Sequence, residues 1–458
     1  MKKRLVASLL LVALALTLVG NPAQAQSKVK ITWFVGLGTG TDAQQIEVQK
    51  KVVADFNAKQ NKIELVINIA PNNQAASDTL GTLIASGDVP DIVGPVGFAG
   101  SNTFPGLWAD LSKQIADAKY DLKQYPEGLV NLYKTAEGQV GVPFAVFPSF
   151  LYYSKDAFDE AGLAYPPKEW GKPYIDKAGK ESPWTWDKLA ELSKTLTVDA
   201  NGKDANDKAF DATKIVQFGF VQQWGALRND MSAFGPANFY DEKTGKVSIP
   251  ENWRKNLEWT YDGIWKSRFI ISETYGQAKE FGTGNNFSSG KVAMARTHLW
   301  YTCCLGDLKA KWDVAALPTY DGKHWVTVDA DTFRIPKASK NPKEAFEVLS
   351  YLLGEASLPL LSVYGGFPAR ASDQAAAVKN LDTKYPGGKN WAVAQKAFDF
   401  TVAPGHESDF PNFKKGQDRL QQFRTLLYSD SGAKMDLKAE IDKLEKDLQV
   451  IVDEAKKK

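Results

Sequence analysis

The stretch Gly141–Leu163, GVPFAVFPSFLYYSKDAFDEAGL, decides the architecture. An apolar strand, Phe150-Leu151-Tyr152-Tyr153, leaves a Pro/Phe-rich run and enters a polar helix start at Ser154-Lys155-Asp156, which ends at a Gly able to cap it. Such a strand reads as a crossing between two lobes. Length points the same way, because 458 residues exceed what one hydrophobic core organises and imply two domains of roughly 200 residues each.

Upstream, Val29 to Val35 alternates as a strand and breaks at Gly36-Leu37-Gly38-Thr39-Gly40. Helical spacing of Ile46, Val53 and Phe56 follows, then a second alternating strand from Ile63 to Ile69. That β-α-β order predicts a right-handed crossover and a parallel sheet. Leu80 to Ser86 reads as a helix capped by Gly87, and Asp88-Val89-Pro90-Asp91-Ile92-Val93 as a turn into a third strand. Near the other end, Leu437, Ile441, Leu444, Leu448, Ile451 and Ala455 step by three and four, an amphipathic helix expected to pack on the second lobe.

At the N-terminus Lys2, Lys3 and Arg4 precede an apolar run from Leu5 to about Gly20, then Ala23-Gln24-Ala25, a signal-peptide pattern cut before Gln26. The run is short for a spanning helix, which needs about 20 apolar residues. No Cys follows it to carry a lipid, so a periplasmic protein with no membrane insertion after cleavage is expected. The chain carries 56 basic and 54 acidic residues, and removing Lys2, Lys3 and Arg4 leaves 53 against 54, a net charge of −1. Without a basic block, nucleic acid and anionic membranes are poor partners. Catalytic patterns also fail: Gly36-x-Gly38-x-Gly40 misses the dinucleotide spacing at Thr41, and neither a Walker loop nor a G-x-S-x-G elbow occurs. Asp199 to Asp204 misses the calcium-loop pattern and reads as a polar hairpin. No metal site, cofactor or catalytic residue is assigned; an adjacent Cys pair lacks zinc spacing.

Several phrases resemble the family 1 extracellular solute-binding proteins, the ligand-capturing subunits of ABC importers of the maltose-binding and glycerol-phosphate-binding type. They are Ile84–Val93 (IASGDVPDIV), Trp108–Ser112 (WADLS), Pro183–Leu189 (PWTWDKL), Phe287–Met294 (FSSGKVAM), Trp312–Pro318 (WDVAALP), Ile335–Pro342 (IPKASKNP) and Tyr364–Arg370 (YGGFPAR), with the crossing stretch itself. Together they span nearly the whole mature chain. The polar stretch Lys168 to Ser182 departs from the pattern and is expected to be a surface insertion. The resemblance implies an α/β, two-lobed periplasmic-binding-protein fold (type II), each lobe a mainly parallel sheet flanked by helices. The expected division is a signal peptide at 1–25, an N-terminal lobe of 26–146 and 298–352, and a C-terminal lobe of 147–297 and 353–458. It also implies a monomer that captures a carbohydrate and delivers it to a membrane permease.

Two α/β lobes joined by crossing strands leave a cleft outside the carboxyl ends of their strands, closed by hinge motion over a ligand. Ligand-binding residues expected from the first lobe are Trp33, Asp42 and Phe98, with Phe147 and Ser149 at the hinge. Gln223, Trp224, Arg228 and Asp230 come from the second lobe. His298, Trp300 and Tyr301 follow the second crossing, Asp329 and Asp331 border the third, and Phe367 and Arg370 lie in a late loop. Aromatics cover the apolar faces of sugar rings while carboxylates and Arg take the hydroxyls. Trp224, between Gln223 and Gly225, and Trp300, just after Thr297-His298, are the leading choices; Asp230 and Asp331 have a rival reading as surface ion pairs with Arg228 and Arg334.

Cys303 and Cys304 are the only cysteines. In an oxidising compartment they are expected to close a vicinal disulfide, a stiff apolar plate at the cleft edge, against a rival reading as two small buried hydrophobes. Two other functions remain open: a secreted glycoside hydrolase, which also combines an aromatic cleft with paired carboxylates, and a binder of a polyol phosphate.

Overall fold

A strand of 13 residues, Val142–Ser154, runs through the middle of the molecule, and every one of its residues is buried. The computed structural model describes residues 27–135, 137–306, 308–401 and 408–457; the expected signal peptide lies outside them. Ten strands form one mixed sheet: β1 (Val29–Val35), β2 (Ile63–Ile69), β3 (Ile92–Val96), β4 (Val142–Ser154), β5 (Val198–Asp199), β6 (Ile215–Gln222), β7 (Val292–His298), β8 (Trp312–Ala315), β9 (Val328–Arg334) and β10 (Phe367–Pro368). Their order is β2-β1-β3-β9-β4-β7-β6-β5, with β8 and β10 also on β4.

The crossing strand divides this sheet into two halves. Val142 to Pro148 pair with β9, and Ser149 to Tyr153 pair with β7. Along its other edge β10 pairs at Ala145 and Val146, and β8 at Leu151 to Ser154. The β1–β2 and β1–β3 pairs are parallel, as are β6–β7, so each half keeps the strand arrangement that needs helical crossovers. The first crossover is the helix Ala43–Lys59, and the next, Ala76–Ser86, stops at Gly87 in the left-handed conformation with φ of 84°. Ser154 caps the helix Lys155–Glu160 by accepting from Ala157 N at 3.2 Å, and Thr185 caps Trp186–Thr195 in the same way through Lys188 N.

Contacts place two segments differently from the expected division. Strand β8, expected with the first lobe, pairs with the second-lobe end of β4. The helix Ser357–Tyr364, expected with the second, packs on Ala43–Lys59, and β10 joins the first-lobe end of β4. Sequence position misleads here because the chain crosses more than once and each crossing hands short pieces to either half. The C-terminal helix Leu437–Ala455 buries Ile441, Leu444, Leu448 and Val452 and packs against Phe413–Tyr428. Arg254 of the helix Glu251–Tyr261 binds its Asp442 and Glu445 at 2.8 and 2.7 Å. The Lys168–Ser182 stretch is mostly exposed, but two rings pin it down. Trp170 stacks on Phe400 and donates to Val393 O, and buried Tyr174 stacks on Trp184. Among the described residues no single helix is long and apolar enough to cross a membrane.

Candidate binding cleft

A cleft of about 590 Å³ opens where loops that follow the parallel strands of both halves converge. Leu37, Gly38 and Thr39 follow β1, Asn73 and Gln74 follow β2, and Gly97, Ala99 and Gly100 follow β3. Trp224 follows β6, while Trp300, Cys303 and Cys304 follow β7. Phe147 of β4 and Asp329 and Asp331 of β9 form the floor between the halves. The two aspartates are two residues apart on a strand, so both point to one face, and Asp329 sits directly across from Phe147. The β1 loop can turn this tightly only with glycine: Gly40 has φ of 100°, and a Cβ there would lie 2.1 Å from Val35 Cγ1.

One wall is a ladder of rings, of which the indoles of Trp224 and Trp300 line the cleft. Trp224 stacks on Trp300 with centroids 6.2 Å apart and planes 13° apart, and Trp300 in turn stacks on His298 at 5.6 Å. Tyr301 meets Trp224 edge-on at 5.2 Å. Both indole N–H groups are committed: Trp224 Nε1 donates to Gly284 O at 2.9 Å and Trp300 Nε1 to Asp329 Oδ2 at 3.0 Å. Their flat faces are therefore fixed in direction. Trp224 is 46 % exposed, one of few large apolar side chains on the surface, and its backbone holds φ of 54°. Left-handed backbone at a bulky residue is uncommon and costs about 1 kcal/mol or more.

The other wall is polar and acidic. Asp42 precedes the helix Ala43–Lys59, whose Gln45 bonds the loop together by accepting from Gly40 N at 2.8 Å and donating to Thr39 Oγ1 at 3.1 Å. Burial and the neighbouring Asp329 carboxylate push the Asp331 carboxyl up to about 7. Burial, together with the charge of Asp331, likewise raises the Tyr364 hydroxyl above its usual range.

Beneath the floor lies the joint between the halves. Ser149 Oγ accepts from Thr327 Oγ1 at 3.0 Å and from Thr327 N at 3.1 Å, and Arg296 Nη2 donates to Thr327 Oγ1 at 3.0 Å. His298 Nε2 lies 3.1 Å from both Thr327 Oγ1 and Asn229 Nδ2 and 3.5 Å from Asp329 Oδ1. Ser149 and His298 are thus buried joint residues rather than cleft wall.

Of the residues expected from sequence, the cleft brings together Asp42, Phe147, Trp224, Trp300, Asp329 and Asp331, with Cys303 and Cys304. Cys303 and Cys304 form a disulfide. The remaining side chains lie elsewhere. Trp33 is fully buried in the first-lobe core, donating to Gly94 O at 2.6 Å, because β1 is covered on both faces and has no cleft side. Phe98 stacks on Tyr133 at 5.2 Å, and Phe367 is wholly buried beside β4. Arg370 reaches Asp373 and lies over Tyr125. Gln223 clamps its own loop by donating to Gly284 O and accepting from Phe287 N, and the buried Tyr301 takes a hydrogen bond from Ser288 N.

Arg228 is buried over Phe239 and Phe410 and donates to Ser408 O at 2.9 Å. Asp230 is also buried, paired with Arg424 at 3.2 Å and Arg296 at 4.0 Å rather than with Arg228. Arg334 likewise leaves Asp331, lying between the rings of Trp108 and Tyr133. Among the described residues neither the Asp230–Arg228 nor the Asp331–Arg334 pair forms.

Residues that the sequence did not single out also line the cleft: Thr39, Gln45, Asn73, Gln74 and Tyr364. Asn72-Asn73-Gln74 stands just past the end of β2, where a ligand loop belongs, and that placement was the available signal. Tyr364 opens the Tyr364–Arg370 phrase, from which Phe367 and Arg370 were chosen instead; long-range packing brings it here, with Gln45 Nε2 reaching Val363 O at 3.4 Å.

A family model for the bacterial extracellular solute-binding protein matches residues 42–358. Among curated relatives, the sn-glycerol-3-phosphate-binding periplasmic protein UgpB of Brucella abortus is 29% identical over 182 residues, 38% of this chain and 40% of that protein. The arabinooligosaccharide-binding protein of Halalkalibacterium halodurans is 22% identical over 311 residues, 67% of this chain and 62% of that one. The chain therefore spans less than two thirds of the length of the curated relatives it matches. Among solved structures, an ABC substrate-binding protein from Listeria monocytogenes in complex with cycloalternan superposes with a TM-score of 0.70 at 18% identity, covering 92% of this chain and 98% of that one. UgpB from Mycobacterium tuberculosis in complex with glycerophosphocholine gives 0.68 at 16% identity, with 94% and 99% covered. These likenesses carry the fold: two α/β lobes about a central cleft. With the family model covering most of its length, the chain belongs to the bacterial extracellular solute-binding protein family.

Proposed function

We propose that this chain is the ligand-capturing subunit of an ABC importer. It takes a mono- or oligosaccharide between its two lobes, closes on it by hinge motion and delivers it to a membrane permease from the periplasm, as a monomer and without chemical conversion. The observation that carries this reading is the wall formed by Trp224 and Trp300 in one cleft with Asp42, Asp329 and Asp331. Flat apolar faces beside carboxylate acceptors match a ring that has C–H faces and a hydroxylated rim. Closure follows if a ligand held on one lobe gains contacts with the other, since only differential binding shifts such an equilibrium.

The Brucella relative and the Mycobacterium tuberculosis structure bring forward a polyol phosphate as the rival ligand. A phosphate needs convergent cations or a helix N-terminus. Among the described residues the cleft is lined by Asp42, Asp329 and Asp331 and by no Lys or Arg, both Arg228 and Arg370 point elsewhere, and the helix Ala43–Lys59 that begins at the cleft carries the Asp42 carboxylate at its N-cap, where it competes with a phosphate. This supports the saccharide over the phosphate.

Tryptophan fluorescence titrated with a panel of mono-, di- and trisaccharides, beside sn-glycerol 3-phosphate, tests the proposal. At least one saccharide is expected to give a saturable change and to be recovered intact after incubation. A response to the phosphate alone would overturn the saccharide reading, and accumulation of shortened sugars would make the protein a hydrolase instead.

A further inference from the structure

The only two cysteines of the sequence, the adjacent Cys303 and Cys304, are joined to each other, and both line the cleft. A disulfide stabilises a fold mainly by restricting the unfolded chain, and the effect grows with the length of chain enclosed. This bond encloses no residue at all. Its contribution must be local, in the surface it shapes.

That surface sits on the short helical turn Leu299–Cys304, which also carries Trp300. The turn is clamped without help from the bond. Thr302 Oγ1 donates to Leu299 O at 2.8 Å, the Tyr385 hydroxyl donates to Thr302 O, and Asn285 Nδ2 donates to Cys304 O at 3.2 Å. Tyr301 donates to Asn285 Oδ1. Gly365 closes the remaining side: a Cβ there would stand 2.8 Å from Thr302 Oγ1 and 2.9 Å from Trp300 O. With the backbone path already determined, the bond changes what the half-buried cysteines present to the cleft. Two thiols would rotate separately and offer S–H donors; the disulfide is a closed ring with neither freedom nor donor.

We propose that the Cys303–Cys304 ring is a ligand-contacting wall of the cleft, a fixed apolar plate that packs on a saccharide's C–H face beside Trp300 and sharpens both affinity and discrimination. The inference rests on the saccharide reading above. Opening the ring leaves the fold intact and the wall soft. Dithiothreitol does this with a defined balance: its thiolate attacks one sulfur, the Cys303–Cys304 bond breaks, and its second thiol resolves the mixed disulfide. Two electrons pass to the protein, Cys303 and Cys304 end as thiols, and the reagent ends as its cyclic disulfide.

Titration calorimetry with the saccharide panel, on the full chain oxidised, reduced, reoxidised, and as the Cys303→Ser/Cys304→Ser variant, tests the proposal alongside thermal unfolding. Reduction is expected to weaken the preferred saccharide about tenfold and to flatten the ranking of the panel. The melting midpoint should move by no more than about 2 °C. The Ser variant should match the reduced protein, and reoxidation should restore the wild type. Unchanged affinity and ranking in both reduced and Ser forms would overturn the inference while leaving the saccharide reading intact. So would a midpoint falling by more than about 8 °C together with affinity, because the bond would then be holding the fold. If the oxidised protein binds no saccharide, the functional reading fails and takes this inference with it.

Discussion

Trp300→Ala is expected to weaken saccharide binding about 100-fold, and Trp224→Ala about 30-fold, losses of roughly 2 to 3 kcal/mol each. An aromatic pair is worth about 0.5–1.5 kcal/mol beyond the area it buries, and each indole here supports the other at 6.2 Å. Removing Trp300 also leaves Asp329 Oδ2 without its indole donor, so the floor changes with the wall. The two positions separate in stability. Trp300 is half-buried and its loss leaves a void among His298, Trp224 and the sheet, whereas Trp224 is 46 % exposed. Trp224→Gly sharpens the contrast, because glycine accepts φ of 54° without strain. It should match Trp224→Ala in lost affinity while unfolding above Trp224→Ala, as measured by calorimetric titration and thermal denaturation. A Trp224→Gly variant that binds normally would remove the ladder from the site.

The largest stability effect is expected at Asp230. Its carboxylate is 3% exposed and lies between two guanidinium groups, Arg424 at 3.2 Å and Arg296 at 4.0 Å. Burial raises its pKa while the two arginines oppose the rise, Arg424 more than Arg296. Removing one member of a buried charge cluster strands the others, at about 3 to 5 kcal/mol. Asp230→Ala should therefore unfold the second lobe well below the wild-type midpoint. It should also loosen the Trp224 loop, since a Cβ on Gly225 would stand only 1.9 Å from Asp230 Oδ1. Adding Arg424→Met to the Asp230→Ala background takes out one stranded charge and should recover part of the loss. Denaturation of the single and double variants, combined as a cycle, measures the coupling; additive effects would mean that the cluster does not act as a unit.

The fold was legible wherever the burial pattern repeats with a short period. β1 and β2 span the residues that alternate in sequence, Gly87 caps the helix it was expected to cap, and the apolar run ending at Ser154 is the central crossing strand. The candidate cleft was legible where a residue follows a strand end, as with Trp224, Trp300 and Asp42, or alternates on a crossing strand, as with Asp329 and Asp331. It was not legible where chemistry was read without burial. Trp33 and Arg228 both carry groups suited to a ligand, yet their indole N–H and guanidinium are taken up by backbone carbonyls inside the protein. The Tyr364–Arg370 phrase was read at its wrong end: Phe367 and Arg370 were chosen, whereas Tyr364 lines the cleft.

Hinge closure over a saccharide is the claim on which the functional account stands, and small-angle X-ray scattering measures it most directly. With the preferred saccharide at a concentration that calorimetry shows to be saturating, the radius of gyration should fall relative to the free protein, and the Trp224→Ala/Trp300→Ala variant should show no change at the same concentration. Superimposable curves for the free and fully saturated wild type would contradict the account.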